Sequence, residues 1–205
     1  MTARSIVVVS GGLSQPSSTR MLADRLADAT VSALAERGVE ARVTVVELRD
    51  LAHEVVDMTL TGYARGGLAE AQEALAGADG VVAVTPVYTA SYAGLFKSFV
   101  DVLDKDALRG TPVVLGATGG TARHSLVVEH ALRPLFAYLG ADVVPTGVFA
   151  ATDDWAEAGT DDVRPLPDRI RRAGEQLAER VAAREPARRV GLYDAVPSFE
   201  DLLGA

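Results

Sequence analysis

Cysteine is absent from this chain. That excludes a disulfide framework, a thiolate nucleophile and a Cys-ligated metal or iron–sulfur centre. Histidine is nearly absent too. His53, His124 and His130 show no HExxH spacing, so no metal site is expected. Positive charge is in deficit, with 20 Lys+Arg against 28 Asp+Glu and a formal charge of −8. A net negative protein gains nothing from counterion release, so no nucleic-acid partner is expected. No apolar run nears the roughly 20 residues that span a bilayer. The opening MTARSIVVVSGG reaches glycine too early for a signal peptide. A cytoplasmic protein without a membrane partner is expected. What remains is ordinary globular material: 205 residues, 48% hydrophobic and 23% charged, the size of one domain.

Apolar runs and helical stripes alternate. Ile6–Ser10 is a short continuous apolar run, which reads as a strand covered on both faces. Thr19–Arg37 carries Leu22, Leu26, Ala29 and Ala33 at helical spacing and stops before Gly38. Ala41–Leu48 reads as the second strand, 49–67 as loop and Leu68–Ala76 as a short helix. Gly80–Pro86 is the third strand, followed by a helix over Tyr92–Leu103. Thr111–Ala117 is the fourth strand, Arg123–Leu139 a helix, Asp142–Phe149 the fifth strand and Pro167–Arg184 the last helix. Five strands interleaved with helices predict a doubly wound parallel α/β sheet in three layers. The domain is expected to span 1–185, with 186–205 as a C-terminal tail.

In such sheets ligands sit beyond the carboxyl ends of the strands, where the strand order reverses. Three loops fall there. The first, Ser10-Gly11-Gly12-Leu13-Ser14-Gln15-Pro16-Ser17-Ser18-Thr19, is rich in hydroxyls and leads into a helix N-terminus. Free N–H groups and the positive end of the helix dipole favour an anion there, and Arg20 adds charge. It lacks both GK[ST] and GxGxxG, so it suits a single terminal phosphate such as that of FMN better than a pyrophosphate. The plain alternative is a polar turn capped by Ser17 or Ser18. The second loop is Thr85-Pro86-Val87-Tyr88-Thr89-Ala90-Ser91-Tyr92, whose proline and aromatic can wall a planar ligand. The third, Gly116-Ala117-Thr118-Gly119-Gly120-Thr121, lets backbone approach a ligand closely. Each loop alone reads equally as a turn. Their coincidence matches the places where a flavodoxin-like sheet of order 2-1-3-4-5 holds FMN.

TPVYTASYAGLFKSFVDVLD (Thr85–Asp104), ATGGTARHSLVVEHALRP (Ala117–Pro134) and GVF (Gly147–Phe149) resemble the NAD(P)H-dependent FMN reductases of two-component monooxygenase systems. The similar branch is the one partnered with a luciferase-like monooxygenase. The resemblance covers roughly 4–185 and implies a flavodoxin-like fold, FMN held between subunits of a homodimer or homotetramer, NADPH or NADH as the donor, and a flavin-dependent monooxygenase as partner. It implies that Ser10, Ser14, Gln15, Ser17, Ser18 and Thr19 hold the phosphate. Pro86, Val87 and Tyr88 would line the ribityl chain and ring, and Thr118, Gly119, Gly120 and Thr121 the isoalloxazine edge. The first loop departs from the family's G-S-x-R pattern, with Gly12 and Ser14 in place of serine and arginine.

Hydride passing between two cofactors needs no general base, so no catalytic side chain is expected. His124 and His130 are candidates for oligomer contact or flavin exchange. Pro134 has no N–H, which robs the His130 carbonyl of its helical partner and favours a local bulge. The resemblance places a bulge-prone aromatic position there. Asp153, Asp154, Trp155 and Asp161 read as a surface loop, with a lid or a subunit contact as the lesser option. Arg164, Arg169, Arg171 and Arg172 read as a solvated face, with an NADPH phosphate contact as the lesser option. The helix Tyr92–Leu103 carries surplus apolar residues that suggest an interface. A tightly flavin-bound quinone or azo-dye reductase and a flavodoxin-like electron carrier stand as alternatives. A phospho-acceptor regulator is excluded, because no acidic pair follows strand one.

Overall fold

A computed structural model describes residues 3–155 and 165–185. Asp161, Arg164 and the expected tail at 186–205 lie outside them. Strands β1 (Arg4–Ser10), β2 (Ala41–Glu47), β3 (Gly80–Tyr88) and β5 (Pro112–Gly119) pair in parallel in the order β2-β1-β3-β5. Two short strands, β6 (Asp142–Val143) and β7 (Val148–Ala151), both continue the sheet beside β5. Discounting the two-residue β4 (Ser91–Tyr92), this is the expected five-position order, with the last position filled in two pieces.

Helices cover both faces. Helices α1 (Ser18–Glu36) and α6 (Leu166–Ala183) pack on one, where Leu22, Leu26, Ile170 and Leu177 meet Ile6, Val8 and Val82. Helices α2 (Ala52–Thr61), α3 (Gly66–Ala76), α4 (Gly94–Asp101) and α5 (Arg133–Tyr138) pack on the other against Val7, Val9 and Val81. The result is a flavodoxin-like three-layer sandwich. Among the described residues no helix is long and apolar enough to cross a membrane.

Four expectations need correction. Residues 49–67 are not a loop: a 3₁₀ turn (Leu48–Leu51) leads into α2. Val55 of α2 is buried and Leu51 and Met58 pack partly buried beside it, a short stripe that the exposed apolar Val56 and Leu60 obscure. The expected helix over Tyr92–Leu103 starts at Gly94, because Tyr92 is held in a hairpin against Val87. Its Phe96, Phe99 and Val100 are buried within the chain, so its apolar residues belong to the core and not to a free face. The fifth strand breaks over residues 144–147, where Arg133 donates to the Val144 and Pro145 carbonyls at 3.0 Å each. Finally, Arg123–Leu139 is not one α-helix. A 3₁₀ turn (Ala122–His124) is followed by a π-helical turn (Val128–Leu132) and then α5. The Arg133 N–H reaches back to the Val128 carbonyl, one residue further than in an α-helix. Pro134 explains the irregularity, since it withholds the N–H that the His130 carbonyl would accept.

Candidate functional site

The carboxyl ends of β1, β3 and β5 carry the three glycine- and hydroxyl-rich loops, and contacts between them build one rim. Thr19, at the start of α1, shares a 2.8 Å hydrogen bond with Thr118 at the end of β5. A Cβ built on Gly11 would lie 3.4 Å from Pro86 Cδ, and one on Gly119 would lie 3.8 Å from Val87 Cβ. Residues 99 positions apart are thus stitched together at the sheet's edge.

In the first loop the chain folds back tightly. A Cβ on Gly12 would lie 2.1 Å from Ser17 Oγ, so a side chain there would displace the hydroxyl that caps α1. Ser17 is the N-cap of α1, and its Oγ accepts from the Arg20 N–H at 3.2 Å. The N–H groups of Ser18 and Thr19 have no partner within the helix, which leaves a positive helix end at the rim. The six residues expected to hold a phosphate divide by depth. Ser14, Gln15 and Ser18 are exposed and Ser17 half-buried. Thr19 and Ser10 are buried, Thr19 against Thr118 and Ser10 with an Oγ that meets no partner. Ser10 shares the α1-facing side of β1 with Ile6 and Val8, beneath the loop rather than on it.

The second loop is a two-residue hairpin turn. Thr89 and Ala90 both take positive φ, 48° and 67°, a geometry that is costly for a β-branched residue. The Thr85 hydroxyl fixes the base of the hairpin, accepting from the Ala93 N–H and donating to the Pro86 carbonyl, at 3.0 Å each. Sequence reading missed Thr85, since a threonine at a strand end gives no signal. Pro86 is buried, Val87 half-buried and Tyr88 exposed. In the third loop Gly119 packs under Phe149, where a Cβ would stand 2.9 Å from the ring, and Gly120 faces open space. Thr121 and His124 are exposed. The π-helical turn that carries exposed His130 packs against β4.

The rim's cations are largely occupied. Arg20 Nε donates to Asp24 at 2.7 Å and its Nη1 to Glu47. The hydrogen bond that Arg20 donates to Asp24, and then the charges of Asp24 and Glu47, hold this guanidinium above its ordinary pKa. Arg169 pairs with Asp154 and donates to the Phe149 carbonyl, so it ties β7 to α6 instead of facing solvent. Arg171 pairs with Asp168 at 3.0 Å. Trp155 lies under the Arg25 guanidinium, 4.9 Å from the ring centroid.

The rim therefore has an anion-attracting helix end with exposed hydroxyls on one side. On the other, Gly119 lies beside Val87 under the Phe149 ring and leads into open Gly120. These residues fit a phosphate ester joined to a flat ring. The NADPH-dependent FMN reductase family profile matches residues 4–156. The chain belongs to this family. It is 39% identical over 179 residues to the FMN reductase (NADPH) of Pseudomonas aeruginosa, covering 84% of this chain and 90% of that one. It is 35% identical over 188 residues to the NADH-dependent FMN reductase SfnE of Pseudomonas putida, covering 92% and 98%. The solved structure of an oxidoreductase from Corynebacterium diphtheriae superposes with a TM-score of 0.85 at 44% identity, over 90% of this chain and 100% of that one. The span matched by the family profile takes in the whole rim, from the first loop to β7.

Proposed function

We propose that the chain reduces FMN with NADPH or NADH and releases the reduced flavin to a partner monooxygenase. Family membership supports the reductase part. The joining of three separate loops at one sheet edge carries the placement of FMN. Hydride transfer from nicotinamide to flavin is the chemistry the two cofactors supply when bound. The chain's own part is to bind and orient them. The α1 N-terminus with Ser14, Ser17 and Ser18 attracts the phosphate. The hairpin at Val87 and Tyr88 and the strip at Gly119–Thr121 take the ring.

Release is supported by the form of the rim, an open shelf whose Tyr88 is 46% exposed. The resemblance of Thr85–Asp104 and Ala117–Pro134 to reductases of two-component systems supports a monooxygenase as the recipient. The lone tryptophan is engaged by Arg25, which disfavours an aromatic-sandwiched electron carrier. A cytoplasmic homodimer or homotetramer completes the reading. The apolar side chains that support association are solvent-facing Leu60, Tyr63, Leu126 and Tyr138. His124 and His130, exposed on the segment after β5, are the residues assigned to assembly or flavin exchange.

The test is NAD(P)H oxidation by the flavin-stripped protein. The expected rate depends on added FMN and saturates with it. A full rate without added flavin, with ping-pong kinetics toward a quinone, would contradict the reading.

A further inference from the structure

The phosphate of FMN carries between one and two negative charges at neutral pH, yet the loop assigned to it holds no lysine or arginine between Ser10 and Thr19. Arg20 follows directly, but Asp24 and Glu47 occupy it. A second guanidinium reaches the loop from the neighbouring strand. β2 lies alongside β1 with Glu47 level with Ser10, so the turn after β2 and the first loop leave the sheet side by side. Arg49 sits on that turn, with a side chain 21% exposed.

The two ends of Arg49 face different things. Its Nε is buried and lies 3.2 Å from Glu47 and 3.4 Å from Asp50, without hydrogen-bond geometry to either. Glu47 is shared with Arg20, and the Asp50 side chain is 68% exposed and screened by solvent. The Nη fork faces the phosphate loop. With the Gln15 amide turned so that its oxygen meets the guanidinium, that oxygen accepts from Nη1 at 2.6 Å and from Nη2. An arginine fork matches a carboxylate or a phosphate, with two donors for two anionic oxygens. Here it holds one neutral amide oxygen, on an exposed side chain.

We propose that Arg49 is the cation that recognises the FMN phosphate. Gln15 turns aside, and the Nη fork takes the phosphate beside the hydroxyls of Ser14 and Ser18 and the N-terminus of α1. Arg49 does from the end of β2 what no residue of the loop itself can do, because Ser14 and Gln15 are neutral. This inference rests on the FMN reading of the rim.

The test compares Arg49→Gln and Arg49→Lys with the parent, using flavin-stripped full-length protein. FMN and riboflavin binding are measured by fluorescence quenching, and KM is measured for NADPH and for NADH. Arg49→Gln is expected to weaken FMN by about ten- to a hundredfold, the range of a charge-assisted contact, and to flatten its salt dependence. Riboflavin, which lacks the phosphate, should bind as before, and this also shows that the variant is folded. Arg49→Lys should recover part of the loss by restoring charge without the fork. Equal weakening of both flavins would overturn the proposal and make Arg49 a residue that shapes the loop. A raised KM for NADPH alone, with FMN unaffected, would assign the fork to the 2′-phosphate of the nucleotide and overturn it as well. Unchanged preference for FMN over riboflavin in Arg49→Gln would overturn this inference and leave the reductase reading standing. A parent protein that binds no FMN would overturn the reductase reading itself.

Discussion

The two edges of the sheet handle their polar groups in opposite ways. At the amino edge they are consumed by one another. Arg4 meets Asp79 at 3.2 Å, Asp79 also accepts from the Ser5 N–H at 2.8 Å, and Arg4 donates to the Arg184 carbonyl. Arg4 and Asp79 are 9% and 4% exposed. Arg184 reaches Thr111 at 3.2 Å and Arg180 reaches Asp142 at 2.8 Å, so α6 is fastened across the whole edge. At the carboxyl edge the Ser10 hydroxyl meets no partner, two non-glycine residues take positive φ, and serines stand in solvent. One edge spends its polar groups on the fold, and the other keeps them available, as the proposed flavin site requires. Strain and unmet polar groups are tolerated at the second because the first supplies the stability.

Asp79→Ala gives the largest expected effect. It leaves a buried guanidinium and a backbone N–H without their acceptor, which should cost about 3–5 kcal/mol. Urea denaturation checks it, and FMN affinity of the folded fraction should stay unchanged. A flavin defect as large as the stability defect would break the division between the edges.

Thr19→Val probes the seam between them. It leaves the Thr118 hydroxyl buried and unpaired, at about 1–3 kcal/mol. Here stability and flavin binding should fall together, because the Thr19–Thr118 bond ties the first and third loops. Thermal melts and FMN titration on the same sample check this.

Ser14→Ala combined with Ser18→Ala should act at the rim alone. FMN should weaken roughly tenfold relative to riboflavin, with melting unchanged. These positions are preferable to Ser17 and Thr19, which cap α1 and join the loops.

The smallest effect concerns pH. A hydrogen bond from Arg133, and then its charge, holds Glu129 below the usual carboxylate range. Because the folded-state pKa is depressed, this contribution is present above the unfolded pKa. It fades as pH falls and is gone below the folded one. The stability difference between the parent and Glu129→Gln should therefore shrink on acidification. A difference that persists unchanged at low pH would remove this role of the pair, which sits on an exposed part of the π-helical turn.

Periodicity made most of the architecture legible, because parallel strands buried on both faces must read as apolar runs. Helix α2 escaped, since its short stripe of Leu51, Val55 and Met58 is blurred by the exposed apolar Val56 and Leu60. The hairpin at Thr89–Ala90 escaped because neither residue belongs to the glycine and asparagine pairs that announce such turns. The gap between β6 and β7 depends on Arg133 capturing two carbonyls from another element. The bulge near His130 could be read, because proline removes a donor at a fixed position. At the rim, glycine and hydroxyl content located the loops. Depth did not follow, and so buried Ser10 and Thr19 were grouped with exposed Ser14 and Ser18. The approach of Arg49 to Gln15 joins residues from separate strands and leaves no mark in local sequence.

Amide hydrogen exchange with and without saturating FMN tests the central claim most directly, since it reports every loop at once. New protection is expected at residues 12–19, 87–92 and 119–124, while the amides around Arg4, Asp79 and Thr111 stay as they were. Protection appearing instead at the amino edge, or confined to β2 and α3, would contradict the assignment of the carboxyl rim as the flavin site.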